Sequence, residues 1–363
     1  MEGDFIKIND WLLPLSWIYG AGVRLRNQMF EMGMLKSRSF DIPVISVGNI
    51  TVGGSGKTPH VEYLINLLRD KVKVAVLSRG YKRKSKGYML ATADTPMSDI
   101  GDEPYQMKKK FADIYVAVDK DRCHGIDQLT ANEETSDTDV ILLDDAYQHR
   151  YVKPGVNILL VDYHRLIMYD KLLPAGRLRE PQKGKARADI VIVSKCPAEL
   201  KPMEFRVITK AMNLFPYQKL YFTTLKYGSL RPIYGGEDRK LDTLTGDTSI
   251  LLLTGIASPQ QMIVDLKPYT ERITPLTFPD HHQYTDADID RINAEFEAMK
   301  GNDKMIVTTE KDNARLCGME GLSDEVKKNI YVLPVEVGFM LDQEEDFNDK
   351  IISYVRKNSR NSI

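Results

Sequence analysis

Short runs of β-branched and aliphatic residues recur along the first two thirds of the chain. They lie at 43–47, 72–77, 114–118, 140–143, 156–161 and 190–193. Because most of them are almost continuously apolar, they are typical of strands buried on both faces of a parallel sheet. Helical patterns lie between them, as at 61–68, where apolar residues step along one helix face. The alternation predicts a doubly wound, mostly parallel α/β fold.

The rhythm changes from about residue 216. Residues 219–228 alternate like a strand at an exposed sheet edge. Residues 249–259 and 304–312 each have the pattern of a strand followed by a polar loop, with a helix predicted at 286–299 between them. A second, smaller α/β domain is therefore expected. The predicted division is an N-terminal segment at 1–38, a main domain at 39–215 and a second domain at 216–363.

Composition narrows the function classes. The 50 Lys and Arg residues against 51 Asp and Glu give a net charge of −1, which argues against a generally basic nucleic-acid-binding protein. Hydrophobic residues make up 42% of the chain, enough for a substantial core. The cysteines at 123, 196 and 317 form no CxxC pair, which argues against a Cys-based zinc site or a disulfide scaffold. A reducing compartment fits best.

The N-terminal segment carries an apolar stretch at 11–23 that Pro14 and Ser16 interrupt. It is shorter than the roughly 18 residues that a membrane-spanning helix needs. The stretch before it is acidic, so we do not expect a secretory signal. Two Trp residues and aliphatic side chains beside Arg24 and Arg26 suit a segment lying in a membrane interface. The alternative is an ordinary helix packed on its own domain.

A glycine-rich segment links the first predicted strand to the first helix. Residues 44–58 read VISVGNITVGGSGKT. In such a loop, backbone N–H groups and the helix N-terminus hold phosphate oxygens, Lys57 reaches the β- and γ-phosphates, and the Thr58 hydroxyl ligates Mg²⁺. Thr51 stands where the G-x-x-x-x-G-K-[ST] pattern has its first glycine. The predicted nucleotide-binding residues are Thr51, Val52, Gly53, Gly54, Ser55, Gly56, Lys57 and Thr58.

The absence of a GTPase base-reading motif favours ATP over GTP. Val52 stands where partition-type ATPases carry a signature lysine. GTPases usually have an N-K-x-D motif after a late strand, and the nearest segment here, TEKD at 309–312, does not match it.

Carboxylates follow the predicted strand at 140–143. Asp144 and Asp145 stand where a phosphate-loop fold places the aspartate that organises the metal. Successive strand residues point to opposite faces, so at most one of them is expected to aim at Mg²⁺. The alternative is a strand-end aspartate that caps the next turn.

Two further polar groups stand out. Asp102, in the sequence GDEP, is predicted to lie in a loop just before a helix, where a carboxylate is also an ordinary cap. His281 lies in the sequence DHH, the densest histidine site of the chain. On the residues alone it could belong to a metal half-site, act as a general base or begin a helix.

Eight motifs follow one another along most of the chain: VGNITVGGSGKTP (47–59), SRGY (78–81), GDEP (101–104), LLDDAYQHR (142–150), LLPAGRLRE (172–180), TGIASP (254–259), FPDHHQYT (278–285) and TTEKD (308–312). Taken together, they resemble the tetraacyldisaccharide 4'-kinase family of lipid A biosynthesis. One departure is DDAYQH, where the family commonly reads DDGLQH; both carboxylates and His149 are kept. The start of the chain, at 18–33, also resembles the family's membrane-associating segment.

The resemblance implies a phosphate-loop NTPase fold and a kinase that uses ATP and Mg²⁺. The γ-phosphoryl group of ATP would move to the 4'-hydroxyl of an acylated glucosamine disaccharide 1-phosphate, forming lipid IV(A). The enzyme would act at the cytoplasmic face of the bacterial inner membrane as a peripheral or monotopic protein, with no nucleic-acid partner.

The resemblance also implies roles for single residues. Asp102 and His281, the latter from the second domain, would act together in catalysis, with Lys57 on the phosphates. The residues expected near the metal are Thr58, Glu103, Asp144 and Asp145. Those expected to contact phosphate or substrate are Arg179 and His149.

Two other classes of function remain open on the sequence. One is a phosphate-loop ATPase that acts as a conformational switch or binds a partner protein. The other is a kinase of a soluble small molecule, in which the apolar N-terminal stretch would only be packing.

Overall fold

The structure is a computed structural model that describes residues 8–256, 259–316 and 319–359. Its strands are β1 (Val44–Gly48), β2 (Val74–Ser78), β3 (Met89–Leu90), β4 (Tyr115–Val118), β5 (Val140–Asp144), β6 (Val156–Asp162), β7 (Ile190–Ser194), β8 (Lys219–Tyr227), β9 (Arg231–Pro232), β10 (Ser249–Thr254), β11 (Ile273–Thr277), β12 (Lys304–Thr309), β13 (Ile330–Leu333) and β14 (Val335–Phe339). Its α-helices are α1 (Leu13–Glu31), α2 (Lys57–Leu68), α3 (Met97–Ile100), α4 (Asp102–Lys110), α5 (Arg122–Ala131), α6 (Pro202–Met212), α7 (Gln260–Leu266), α8 (Asp286–Ala298), α9 (Glu310–Leu316), α10 (Asp324–Asn329) and α11 (Glu344–Asn358).

The chain divides into two compact units. The second unit consists of Gly101–Gln106 and Lys226–Glu336, and the first unit holds the rest of the described residues. The prediction had placed 216–363 in one second domain. The contacts instead assign the chain from Val337 onward to the first unit, because β14 joins the same sheet as β8.

The first unit is built on a mixed sheet of nine strands among the described residues, in the order β14-β8-β7-β6-β1-β5-β2-β4-β3. The pairs β7–β6, β6–β1, β1–β5, β5–β2 and β2–β4 are parallel. The apolar runs predicted from the sequence correspond to β1, β2, β4, β5, β6 and β7, and the middle residues of these strands are buried. The predicted doubly wound α/β fold is confirmed.

The prediction of an exposed edge was wrong for β8. This strand lies between β7 and β14, and its central residues, Tyr221 to Thr223, are buried. Burial does not alternate at the centre of β8, because the strand that covers its edge, β14, comes from the far end of the chain. A local pattern cannot reveal such a partner.

The second unit has its own parallel sheet, in the order β11-β10-β12-β13, with β9 antiparallel at one edge. Its core includes Leu253, Phe296 and Ile306, each fully buried. The helix predicted at 286–299 is α8, and Thr285 caps it. The polar loop predicted after β12 is instead the first turn of α9.

The N-terminal helix α1 packs on the first unit through a narrow face. The Ser16 hydroxyl donates to the carbonyl of Leu172 at 3.0 Å, and a Cβ on Gly20 would lie 2.6 Å from Leu172 Cδ1. The opposite face carries exposed apolar side chains, among them Trp17 and Ile18, 70% and 71% exposed. In the part of the chain that is described, no helix has the length and apolar character to cross a membrane. Residues 1–7 of the predicted segment 1–38 lie outside the described residues.

Candidate active site

The glycine-rich loop joins β1 to α2, as predicted. Gly53 and Gly56 adopt positive φ values of 116° and 78°, a backbone conformation that favours glycine. Thr51 forms an antiparallel bridge with Leu178, and the N–H of Val52 donates to the carbonyl of Arg177 at 2.8 Å. Because Thr51 is part of a strand-like bridge, a glycine is not needed there.

Lys57, Asp145 and Arg179 form a charged group beside this loop. Lys57 Nζ lies 3.6 Å from Asp145 Oδ1, and Arg179 Nη1 lies 3.5 Å from Asp145 Oδ2. Asp145 reaches them because it leaves the strand with a φ of 46°. Burial by itself raises the pKa of the Asp145 carboxyl, but the cations of Lys57 and Arg179 hold that pKa below its ordinary value. The carboxylate is therefore ionised at neutral pH.

Asp144 has different partners from Asp145. The Ser78 hydroxyl donates to Asp144 Oδ2 at 3.1 Å, and the buried guanidinium of Arg122 donates to the Asp144 carbonyl at 3.2 Å. The two aspartates thus diverge because Asp144 ends β5, whereas Asp145 lies beyond the strand with a positive φ.

The oxygens beside the loop fit a magnesium ion. Asp145 Oδ1 is buried, and no hydrogen-bond donor reaches it among the described residues. Thr58 lies in the first turn of α2, next to Lys57. Carboxylate and hydroxyl oxygens are the ligands that Mg²⁺ prefers. Glu103, also predicted near the metal, lies in the second unit and pairs there with Lys311.

A second charged cluster lies within the second unit and centres on Asp102. His281 Nδ1 donates to Asp102 Oδ2 at 3.0 Å, and Arg315 Nη2 donates to the same oxygen at 2.5 Å. Burial by itself raises the pKa of Asp102, but the His281 hydrogen bond and the Arg315 guanidinium together lower it to about 2. The prediction that Asp102 lies in a loop before a helix was wrong, because Asp102 is the first residue of α4.

A buried network holds the Arg315 guanidinium in place. Its side chain is 1% exposed, and Nη1 donates to Asp312 Oδ1 at 3.0 Å and to the Gly255 carbonyl at 2.9 Å. Asp312 Oδ2 in turn accepts from the Gly255 N–H and the Thr309 hydroxyl. A Cβ on Gly255 would lie 2.8 Å from Asp312 Oδ1, so the close approach requires glycine.

Lys311 brings further charge to the His281 ring. Lys311 Nζ lies 2.9 Å from Glu103 Oε1, 3.3 Å from Asp280 Oδ1 and 3.4 Å from His281 Nε2. His281 itself adopts a φ of 59°, a strained conformation for a side chain of this size. The nitrogens of the His281 ring therefore have three carboxylates and the Lys311 ammonium group within 4.0 Å.

Lys311 and Arg315 were missed by the sequence analysis, although Lys311 lies in the motif TTEKD. Both lie on α9, four residues apart, which puts them on one face of the helix. A spacing of four residues could have indicated a shared helix face, but this segment was predicted to be a loop.

His149, predicted to contact substrate, is half-buried in the turn that follows β5. Its Nε2 is buried and has no hydrogen-bond partner among the described residues. Burial and the nearby Arg122 guanidinium lower the pKa of His149 to about 4, so the ring is neutral. Ligand-type atoms of Asp121, Cys123 and His149 lie within 4.8 Å of one another, a grouping that the spacing of the cysteines could not reveal. The neighbouring guanidinium disfavours a bound cation there.

Comparisons with known proteins all find the same kind of enzyme. The family model described as LpxK, tetraacyldisaccharide-1-P 4'-kinase, matches residues 8–356. The tetraacyldisaccharide 4'-kinase of Phocaeicola vulgatus is 60% identical over 363 residues, covering 100% of this chain and 99% of the relative. That of Bacteroides thetaiotaomicron is 54% identical over 370 residues, covering 100% of this chain and 97% of the relative.

A solved structure with the same family name also matches this chain. The crystal structure of LpxK from Aquifex aeolicus in complex with ATP superposes with a TM-score of 0.71 at 32% identity, covering 95% of this chain and 98% of the other. With a family model that spans nearly the whole chain and relatives that match it from end to end, the chain belongs to the tetraacyldisaccharide 4'-kinase family.

Proposed function

We propose that this protein transfers the γ-phosphoryl group of ATP to the 4'-hydroxyl of a tetraacylated glucosamine disaccharide 1-phosphate, the step of lipid A biosynthesis that forms lipid IV(A). The observation that carries the proposal is the Asp102–His281–Arg315 cluster in a member of this kinase family. A carboxylate held by an imidazole and a guanidinium can receive the proton of an attacking hydroxyl.

The residues beside the phosphate loop would act on the nucleotide. Lys57 places its ammonium group on the β- and γ-phosphates, and the N–H groups at the start of α2 bind phosphate oxygens. Asp145 and the Thr58 hydroxyl would hold Mg²⁺, which neutralises negative charge on the phosphates when bound. Arg179 lies within 3.5 Å of Asp145 and adds a second cation beside the phosphates.

Asp102 and its partners would act on the acceptor hydroxyl. His281 and Arg315 both contact Asp102 Oδ2, so we assign Oδ1 to the hydrogen bond with the acceptor hydroxyl. With a pKa of about 2, Asp102 is a weak base. A weak base suffices because phosphoryl transfer passes through a loose transition state, in which catalysis depends mainly on positioning and on electrostatic stabilisation. His281 keeps the carboxylate directed at the acceptor.

The exposed face of α1 would bind the surface of the membrane that contains the lipid acceptor. Trp17 and Ile18 on α1, and Trp11 in the turn just before it, are more than two thirds exposed, and Arg24 is exposed on α1. Apolar and cationic side chains together bind anionic lipid surfaces. We place the enzyme at the cytoplasmic face of the bacterial inner membrane, where ATP is available.

A transfer assay tests this function. Full-length protein is incubated with γ-³²P-labelled ATP, Mg²⁺ and the disaccharide 1-phosphate lipid in mixed micelles, and the labelled lipid is separated by thin-layer chromatography. We expect labelled phosphate on the 4'-position, and its loss in Lys57→Ala. Label on water-soluble sugars with none on the lipid would overturn the proposal.

A further inference from the structure

The phosphate loop rests on a set of polar side chains that the mechanism above does not use. The carbonyl groups of three successive loop residues each accept a hydrogen bond from a side chain. Gly54 accepts from Lys195, Ser55 from Ser194 at 2.9 Å, and Gly56 from His60 at 2.7 Å. Ser194 is the last residue of β7, and Lys195 follows it.

The two partners of His60 determine its protonation. The ring is 4% exposed, with Nδ1 on the Gly56 carbonyl and Nε2 at 3.0 Å from Thr223 Oγ1. A carbonyl oxygen can only accept, so Nδ1 carries the hydrogen. The neutral ring then accepts at Nε2 from the Thr223 hydroxyl. Burial lowers the pKa of His60 to about 4, in agreement with a neutral imidazole.

These contacts orient the amide groups of the loop. In a trans peptide, the C=O of one residue and the N–H of the next point in opposite directions. Hydrogen bonds to the carbonyls of Ser55 and Gly56 therefore turn the next N–H group along the chain, in each case, away from the side chain that holds the carbonyl. The first N–H groups of a helix have no partner within the helix and are available to a phosphate.

We propose that His60, Ser194, Lys195 and Thr223, here called the loop anchor, are positioning residues that fix the loop N–H groups for ATP. This inference rests on the proposed function, since it takes ATP as the ligand of the loop. His60 is central to the loop anchor because it joins the loop to β8 through Thr223. The Gly56 carbonyl also accepts the backbone N–H of His60 at 3.3 Å, so the ring supplies a second, shorter hydrogen bond to the same oxygen.

Nucleotide binding measures the effect directly. Isothermal titration of the full-length protein with the non-hydrolysable analogue β,γ-imido-ATP and Mg²⁺ gives a Kd without any lipid acceptor. We expect His60→Leu to weaken binding about tenfold, as for the loss of a buried hydrogen bond at a binding loop, and Thr223→Val to weaken it less. Thr135→Val is the matched control, because Thr135 is fully buried and its hydroxyl donates to the Leu129 carbonyl at 2.7 Å. It should leave Kd unchanged.

A conservative variant separates positioning from general stability. His60→Asn keeps an N–H donor near the position of Nδ1 but cannot reach Thr223, so it should retain most of the affinity that His60→Leu loses. In the transfer assay, the KM for ATP should rise in His60→Leu while kcat at saturating ATP changes little.

The Kd values of the variants can contradict this inference. If His60→Leu and Thr223→Val bind the analogue as tightly as Thr135→Val, the loop anchor does not set affinity and the inference fails. If His60→Leu does not fold, Thr223→Val decides, because the inference predicts weaker binding than in Thr135→Val and an unchanged Kd would overturn it. A wild-type protein that fails to bind the analogue would refute the proposed function instead.

Discussion

The carboxyl group of Asp102 is held between the imidazole of His281 and the guanidinium of Arg315. As the proposed base, Asp102→Asn should lower kcat by roughly 10²–10⁴-fold with nucleotide affinity little changed. His281→Ala should behave similarly, and the double variant should be hardly worse than either, because residues that act as one unit are not additive. Transfer kinetics on the three variants check this, and multiplicative losses would contradict the pairing. A carboxylate that only capped α4 would cost about 1 kcal/mol of stability and leave kcat nearly intact.

Arg315 should set the acid limit of activity through Asp102. The folded pKa of about 2 lies below the ordinary 3.8, so the ionised form is retained well into acid and is lost as the pH falls through the folded value. Arg315→Met leaves the His281 hydrogen bond and the Lys311 charge as the groups that oppose burial, so the pKa of Asp102 should rise. The acid limb of kcat/KM should therefore move to higher pH than in the wild type. Arg239→Met, which breaks a pair with Asp303 in the same unit, is the control. An unchanged pH profile in Arg315→Met would contradict the role.

Among the elements, those with a strong local pattern were predictable and those that depend on distant partners were not. The buried strands β1, β5 and β6 are almost continuously apolar, and α2 has a clear apolar face. The short helix α9 begins with Glu310 and Lys311, which look like loop residues, so the sequence missed Arg315 as well. The contact of Arg179 with Asp145 depends on the bridge between Thr51 and Leu178, which no local pattern encodes.

The helix α1 should bind membranes through its exposed side chains. Trp17→Glu combined with Ile18→Glu should reduce co-sedimentation with vesicles that contain phosphatidylglycerol, because both apolar contact and charge attraction weaken. Arg24→Glu should have a larger effect at low salt than at high salt, since salt screens the attraction. Met203→Glu, at a residue 67% exposed on α6, is the matched control and should bind as the wild type does. Binding unchanged by the α1 substitutions would show that this helix does not contact lipid.

For the molecule as a whole, buried histidines predict acid sensitivity of the fold. The pKa of His60 is lowered by burial to about 4, against an ordinary value of 6.5, so the unfolded chain binds a proton that the folded chain excludes. Stability should therefore be lost as the pH falls from about 6.5 towards 4, by about 3 kcal/mol for this residue. Calorimetry at pH 7.5, 6 and 5 should show a falling Tm in the wild type and a shallower fall in His60→Leu. Equal slopes would contradict this assignment.

The packing of α1 has a practical consequence for making a soluble form of the enzyme. The Ser16 hydroxyl donates to the Leu172 carbonyl, and the Tyr19 hydroxyl donates to the Arg179 carbonyl at 2.8 Å. Arg179 in turn donates its N–H to Ile50, next to the phosphate loop. Truncating the helix to simplify purification or inhibitor screening would therefore disturb the backbone that supports a cation of the nucleotide site. Compounds selected against such a truncated protein would meet an altered pocket, whereas replacing only Trp11, Trp17 and Ile18 with polar residues should reduce the exposed apolar surface and leave that backbone intact.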